Sequence, residues 1–310
     1  MIEIVFLGTS ASAPSVHRGL SAQIVLYKDY RFLVDCGEGT QRQILHSGLG
    51  FKRLNRILLT HGHLDHILGL GGLISTFARW EAIDHVEIYG GGWALERVYD
   101  LIYGVVLRGA EPPIEIDFVE VHPGVVLEDD TFEVVAFPVV HRGPSLGYLF
   151  REKPRRPFLN ERAEALGVPR GPERRRLVAG ESVTLPDGRV IHPDDVLGPA
   201  RSGACLAHVG DAGRTRGLEA AIRGVDVLVI EATYLRREVD MARRFAHLTA
   251  AQAAQLARDG GVHRLVLTHV SRRYREAEIL DEARSIFPEA VIARDFDHFR
   301  VLRRDVKRET

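Results

Sequence analysis

Between Thr60 and His66 the sequence reads Thr-His-Gly-His-Leu-Asp-His, so three histidines and an aspartate fall within six residues. Imidazole nitrogen and carboxylate oxygen together suit Zn²⁺, with Mn²⁺ as a poorer substitute. His61 and His63 are two apart, so in extended backbone both side chains leave the same side and can chelate one ion. Asp65 and His66 sit where the chain turns into a helix, aimed at a neighbouring ion. The same placement recurs further on. The apolar runs "FPVV", "LAHVG" and "LVLT" end in His141, Asp211 and His269. Each reads as a strand that delivers a metal-ligand type at its end, and layered α/β folds form their sites just beyond the carboxyl ends of strands. Two ions about 3.5–4 Å apart would acidify a water between them and clamp both oxygens of an in-line displacement at phosphorus. A lone histidine is usually structural; the repetition argues for a site.

The elements that must hold these groups follow from pattern. Residues 2–8, 22–27, 31–35 and 56–60 read as strands, and residues 40–48 as a helix stopped by Gly48. Residues 66–80 read as one apolar helix entered from the histidine cluster, 86–90 as a strand, and 93–106 as a second helix. Residues 114–121, 131–140 and 146–150 are strand-like. From about residue 151 to 202 the chain turns rich in Arg, Pro and Gly and is helical only over 160–166, which predicts an inserted arm over 151–200 and not a second core domain. Alternation resumes with strands at 205–211, 225–231 and 264–269, helices at 249–261 and 277–287, and closing strands at 290–295 and 298–302. Strands alternating with helices in both halves give an α/β layered domain.

Bulk properties narrow the partners. The chain has 310 residues and a formal net charge of −1, so no whole-molecule field advertises a polyanion. Any nucleic-acid contact must come from a local patch. From Arg151 to Arg176 nine Lys or Arg stand against four Glu, a balance of +5. No run of 18 apolar residues occurs, so no membrane span is expected. Met1 leads straight into a strand-like run without a leader pattern, and Cys36 and Cys205 lack framework spacing. A cytoplasmic protein with reduced thiols is expected.

"THGHLDH" is the HxHxDH signature of the metallo-β-lactamase superfamily, and the chain resembles one branch of it, ribonuclease Z, the tRNA 3′-processing endoribonuclease. "FLGTSASAPS", "VDCGEGTQRQ", "FPVVHRGPSLGY", "HVGDAGRT", "IEATYL", "AHLTA" and "LTHVSRRY" follow in that family's order. "GPERRRLVAGESVTLPDGRVI", with Arg174, Arg175 and Arg176, resembles the tip of the arm that grips tRNA. The chain departs from the pattern at Gly19 and Ile230. The resemblance implies one αβ/βα four-layer metallo-β-lactamase sandwich over 1–310, with a projecting basic arm. It implies two Zn²⁺ per subunit: His61, His63 and His141 on one, Asp65, His66 and His269 on the other, and Asp211 bridging. It implies a homodimer acting on precursor tRNA, with no membrane or DNA partner.

On that footing Asp65 orients or deprotonates the attacking water. His247, with Glu231 as charge partner, protonates the departing 3′ oxygen as a general acid. Ser271 and Arg273 face the scissile phosphate, where a guanidinium matches phosphate geometry. Two other readings compete: a metallohydrolase of this fold acting on small phosphodiesters, thioesters or lactams, and a non-catalytic RNA-binding protein with a structural metal. A long basic insertion is unnecessary for small substrates, and an open two-metal site is unnecessary for a scaffold.

Overall fold

The computed structural model describes residues 1–80, 83–112 and 114–303. The chain forms two compact units. Among the described residues the larger contains those in 1–128, 133–151 and 204–303, and the smaller 129–132 and 152–203.

In the larger unit the first half of the chain supplies β1 (Ile2–Gly8), β2 (Ala22–Tyr27), β3 (Tyr30–Val34), β4 (Arg56–Leu58), β5 (His85–Gly90) and β6 (Glu115–Glu120). Then come β7 (Gly124–Glu128), β8 (Phe132–Val140) and β9 (Pro144–Glu152). In the smaller unit β10 (Val183–Thr184) and β11 (Val190–Ile191) form a hairpin. The chain closes with β12 (Cys205–His208), β13 (Val227–Glu231), β14 (Arg264–Thr268), β15 (Ala290–Ile292) and β16 (His298–Val301). Two seven-stranded sheets result, ordered β16-β1-β2-β3-β4-β5-β6 and β15-β14-β13-β12-β9-β8-β7. Strands β3 to β6 are parallel, as are β12 to β15. Parallel strands are covered on both faces, which is why they read as nearly unbroken apolar runs.

Alternation along each strand sorts side chains between two faces. One face of the first sheet, with Leu7, Ile24, Leu33, Ile57 and Ile88, packs on helices Thr40–His46, Leu70–Trp80 and Gly92–Tyr99 through Ile44, Leu73, Phe77 and Val98. In the second sheet Ala207, Leu228, Ile230, Leu265 and Leu267 pack on Ala253, Ala254 and Ala257 of helix Ala250–Asp259 and on Ile279 and Ala283 of helix Glu276–Arg284. The remaining faces meet each other. Phe32 lies against Phe150 with ring centroids 5.7 Å apart. The Tyr148 hydroxyl donates to the Leu59 carbonyl oxygen at 2.7 Å, and His208 pairs with Gln23 at 2.9 Å. The layers therefore run helix, sheet, sheet, helix, which is the αβ/βα sandwich. Among the described residues no helix is long and apolar enough to cross a membrane.

The helix expected over 66–80 differs from the structure. A short helix starts earlier, at Leu64–Ile67, and a second runs Leu70–Trp80. The break has a steric cause. Gly69 donates its N–H to the Cys36 carbonyl at 2.9 Å, and a Cβ there would sit 2.0 Å from the Gly37 oxygen. The helix expected over 93–106 is α-helical only for Gly92–Tyr99 and continues as a π-helix over Asp100–Leu107. Edge strand β7 and helix Val239–Phe245 were not expected.

The smaller unit also departs from a segment helical only at 160–166. Besides helix Asn160–Ala165 it has helices Pro172–Val178 and Pro193–Val196, each opened by a proline at its first turn. Ala163, Val168, Leu177, Val183, Leu185, Ile191, Val196 and Leu197 form its own small apolar core.

The close approach at Gly69 yields a prediction. Gly69→Ala should cost about 1–3 kcal/mol of stability through overpacking, and so lower the urea midpoint of unfolding with the m-value unchanged. A wild-type midpoint would show that the Cys36–Gly37 backbone yields freely.

Candidate metal centre

The ligand candidates all emerge at strand ends. His61 lies three residues past β4, His141 follows Val140 at the end of β8, and His269 follows Thr268 at the end of β14. Asp211 stands in the turn after β12, and Glu231 is the last residue of β13. His63 is extended and caps helix Leu64–Ile67, whose first turn carries Asp65 and His66. His247 follows Ala246, which closes helix Val239–Phe245 in a left-handed conformation with φ 57°. Asp35 and His269 also have positive φ, 59° and 51°. Such strained backbone persists where surrounding structure dictates it, commonly at functional sites.

Inward nitrogens converge. His61 Nε2 is 2.9 Å from His63 Nδ1, and His141 Nε2 is 3.2 Å from that same atom. His269 Nε2 lies 3.5 Å from Asp65 Oδ2 and 3.4 Å from Asp211 Oδ1. Asp211 Oδ2 lies 3.5 Å from His66 Nε2, 3.9 Å from His61 Nε2 and 3.8 Å from His141 Nε2. Asp211 thus stands between the histidines, with Oδ1 toward His269 and Oδ2 toward His66, His61 and His141.

The outward nitrogens explain why the inner ones carry lone pairs. His66 Nδ1 donates to Asp35 Oδ2 at 2.7 Å, and His141 Nδ1 donates to the Ala246 carbonyl oxygen at 2.7 Å. Thr60 Oγ1 donates to Asp35 at 2.8 Å and so accepts from His61 Nδ1, 3.0 Å away. Thr233 Oγ1 donates to Glu231 Oε2 at 2.6 Å and so accepts from His269 Nδ1, 3.0 Å away. Asp35 and Glu231, both 0% exposed, therefore play matching parts. Each orients one imidazole directly and a second through a threonine. Glu231 holds His247 Nδ1 directly at 3.0 Å. A proton fixed on one ring nitrogen leaves the other as an acceptor, the arrangement that metal-ligating histidines adopt.

Electrostatics follow the same division. Burial pushes His61 well below the usual imidazole range, His63 down to about 4, and His141 down. Neutral imidazole is the form that binds metal. Burial alone would depress His247, yet the Glu231 carboxylate outweighs it and lifts the ring to about 9. Burial alone would also depress His66, which Asp211 and Asp35 instead hold well above the usual range, so this ring would have to release its Nε2 proton to ligate a metal. Asp211 and Asp65 would rise on burial, and the neighbouring His269 and His66 hold both low.

The residues fit a metal. His66 Nε2, His269 Nε2 and Asp211 Oδ1 are buried with no hydrogen-bond partner. Each such atom would cost about 1–3 kcal/mol if left unsatisfied. His61, His63 and His141 form one set of ligand atoms within 4.8 Å, and Asp65, His66 and His269 form another.

A cavity of 320 Å³ opens beside them, lined by Ser12, His63, Asp65, His141, Arg142, Asp211, Tyr234, Phe245 and His247. The seven ligand candidates, His247 and Glu231 are thus brought together. Ser271 and Arg273 are outside this lining. Ser271 Oγ accepts from Arg273 N at 3.3 Å, and the Arg273 guanidinium pairs with Glu238 at 3.2 Å. In the smaller unit Arg174 is built into its own fold: its guanidinium covers the Phe158 ring and donates to the Val168 carbonyl oxygen and to Asn160, each at 3.0 Å. Arg176 pairs with Glu181 at 2.9 Å, while Arg175 is exposed. The departures from the family pattern are accommodated. Gly19 donates its N–H to Asp295 at 2.6 Å, and Ile230 is fully buried among the helix-side apolar residues.

Sequence reading missed Asp35, Thr60, Thr233, Arg142, Tyr234 and Phe245. Asp35 alone left a local sign, as a carboxylate ending strand-like 31–35. Asp35→Asn should keep the fold and weaken Zn²⁺ binding about 10–100-fold, since the partner that orients His66 and, through Thr60, His61 loses its charge. Competition with a chromogenic chelator measures this; wild-type affinity would refute the orienting role.

Comparison with known proteins agrees with this geometry. The family described as "Anti-Pycsar protein Apyc1" matches residues 2–110, and "Beta-lactamase superfamily domain" matches residues 181–270. The chain is 49% identical over 302 residues to ribonuclease Z of Bradyrhizobium sp. (strain ORS 278), covering 97% of this chain and 100% of that protein. It is 38% identical to ribonuclease Z of Archaeoglobus fulgidus, covering 96% of each. The crystal structure of human tRNase Z, short form, superposes with a TM-score of 0.68 at 26% identity, covering 97% of this chain and 99% of that one. With near-complete coverage at such identity, and with the ligand candidates gathered at the strand ends of the αβ/βα sandwich, the chain belongs to the ribonuclease Z family, endoribonucleases of the metallo-β-lactamase superfamily.

Proposed function

We propose that this protein removes the 3′ trailer from precursor tRNA by hydrolysing one phosphodiester, leaving a 3′-hydroxyl on the tRNA and a 5′-phosphate on the trailer. The observation that carries this reading is the convergence of the buried, unpartnered His66 Nε2, His269 Nε2 and Asp211 Oδ1 beside an open cavity, in a chain 49% identical end to end to a ribonuclease Z.

His61, His63 and His141 would hold one Zn²⁺, Asp65, His66 and His269 the other, and Asp211 would serve both. When bound, the ions supply Lewis acidity and lower the pKa of a water to roughly 7. Asp65 accepts a proton from the attacking water; its Oδ2 is steadied by the Ser12 N–H at 3.0 Å. The water oxygen bonds to phosphorus as the bond to the 3′ oxygen breaks. His247, its Nδ1 fixed on Glu231, presents its other nitrogen to the cavity it lines and protonates the departing 3′ oxygen.

The smaller unit supports the choice of RNA. Several of its arginines are engaged internally, such as Arg156 with Asp194 and Arg170 with Glu164. Arg162 and Arg175 are exposed and enter no ion pair among the described residues. With Arg155 and Arg201, likewise exposed and without an ion pair among the described residues, they are free charges that a folded, shape-recognised RNA would neutralise.

Two outcomes are expected. His247→Ala should lower kcat on a precursor tRNA about 10²–10⁴-fold, the usual worth of a general acid, with two zinc ions per chain retained by elemental analysis. Unchanged turnover, or zinc lost with activity, would remove the acid role. Replacing Arg162 and Arg175 together by Glu should raise KM for precursor tRNA at least about tenfold while hydrolysis of bis(p-nitrophenyl) phosphate stays at the wild-type rate. Parallel loss on both substrates would show that the unit serves folding and not substrate binding.

A further inference from the structure

We propose that Arg142 binds a non-bridging oxygen of an RNA phosphate beside the scissile bond, an assignment that rests on the cavity being a phosphodiester site. Arg142 follows the ligand candidate His141, and among the residues lining the 320 Å³ cavity it is the one guanidinium. Arg273, which the sequence placed at the phosphate, lies outside that lining and is tied to Glu238 at 3.2 Å.

Arg142 is held but not spent. Its Nη2 donates to the Arg244 carbonyl oxygen at 2.8 Å, and its guanidinium lies 5.1 Å from the centroid of the Phe245 ring. Arg244 approaches the same ring at 5.5 Å. These contacts fix the plane of the guanidinium and leave most of its five N–H donors unused. Among the described residues it enters no ion pair, although carboxylates elsewhere in the molecule pair readily with arginine. A fixed cation at the mouth of a site built to hold two more cations repels them unless an anion lies between. Phosphate is the anion whose paired oxygens match the guanidinium fork. Tyr234 and Phe245 complete the same wall with aromatic surface, on which the adjoining base can rest.

The test uses the zinc-loaded full-length protein, Arg142→Ala and Arg142→Lys. Each is measured for affinity to a short single-stranded RNA by fluorescence anisotropy across a salt series, and for KM and kcat on precursor tRNA. Arg142→Ala should weaken RNA binding and raise KM about 10–100-fold, change kcat less, and reduce the salt slope of log affinity by about 0.7. Arg142→Lys should restore the salt slope but only part of the affinity, since an ammonium lacks the fork. Zinc content should match wild type in both. An alanine variant with wild-type affinity and slope overturns the proposal. So does one that loses zinc along with affinity and regains both in excess zinc, because Arg142 would then support His141 and not contact RNA. A wild-type protein that leaves precursor tRNA intact, while Arg142→Ala still loses its hold on the short RNA, removes the tRNA reading and keeps this contact.

Discussion

Lone pairs of five imidazoles and two carboxylates aim at one small volume, and most of the molecule's polar architecture serves to keep them aimed there. Such a volume is repulsive on its own. Nitrogen atoms 2.9 and 3.2 Å apart at His61, His63 and His141 can share at most one proton per contact. His66 Nε2, His269 Nε2 and Asp211 Oδ1 find no hydrogen-bond partner among the described residues. Divalent cations held by the two ligand sets would satisfy them. The metal-free arrangement therefore costs stability, which metal binding returns through mass action as RT ln(1 + [L]/Kd).

Convergence is enforced from behind by two buried carboxylates. Asp35 accepts from the Thr60 N–H at 2.8 Å, from the Thr60 hydroxyl and from His66. Glu231 accepts from the Ala212 N–H at 2.7 Å, from Thr233 and from His247. A buried carboxylate would be very costly alone; three hydrogen bonds each make it tolerable and turn it into a rigid anchor. Asp35 belongs to the first sheet's strand ends and Glu231 to the second's. Each sheet thus carries its own anchor, and the contacts of Phe32 with Phe150 and Tyr148 with Leu59 hold the two anchors to a common frame. The glycine at 69 has the same purpose. It lets the loop after Asp35 press against the helix that carries Asp65 and His66: Cys36 donates its N–H to the His66 carbonyl oxygen at 2.7 Å, and its own carbonyl accepts from the Gly69 N–H at 2.9 Å because no side chain intervenes.

How much of this the sequence disclosed follows from how local each signal is. The cluster at 61–66 is legible because its spacing is short and its residue types are uncommon together. His141, Asp211 and His269 are legible because each ends an apolar run. Asp35 and Thr233 are not, since the imidazoles they serve lie 31 and 36 residues away and are met only in the folded chain. Helices Pro172–Val178 and Val239–Phe245 are two turns long, too short for apolar periodicity to rise above the background. The break at Gly69 is invisible because the sequence contains no trace of the opposing Gly37 carbonyl.

The arginines teach a related point about charge. A formal balance of +5 over residues 151–176 suggests a strongly basic surface, but formal charge overstates what a polyanion meets. Arg174 has a side chain only 14% exposed, and Arg156, Arg170 and Arg176 face carboxylates within their own unit. Ion pairs of this kind contribute little to stability, yet they cancel the field at short range. Among the described residues of that unit Arg155, Arg162, Arg175 and Arg201 are the exposed arginines that no carboxylate pairs. A polyanion meets only the cations that stay unpaired, so their positions matter more than the formal total. On a protein with net charge −1, unpaired cations at a few positions give a local foothold for an anion without a whole-molecule field that attracts every polyanion.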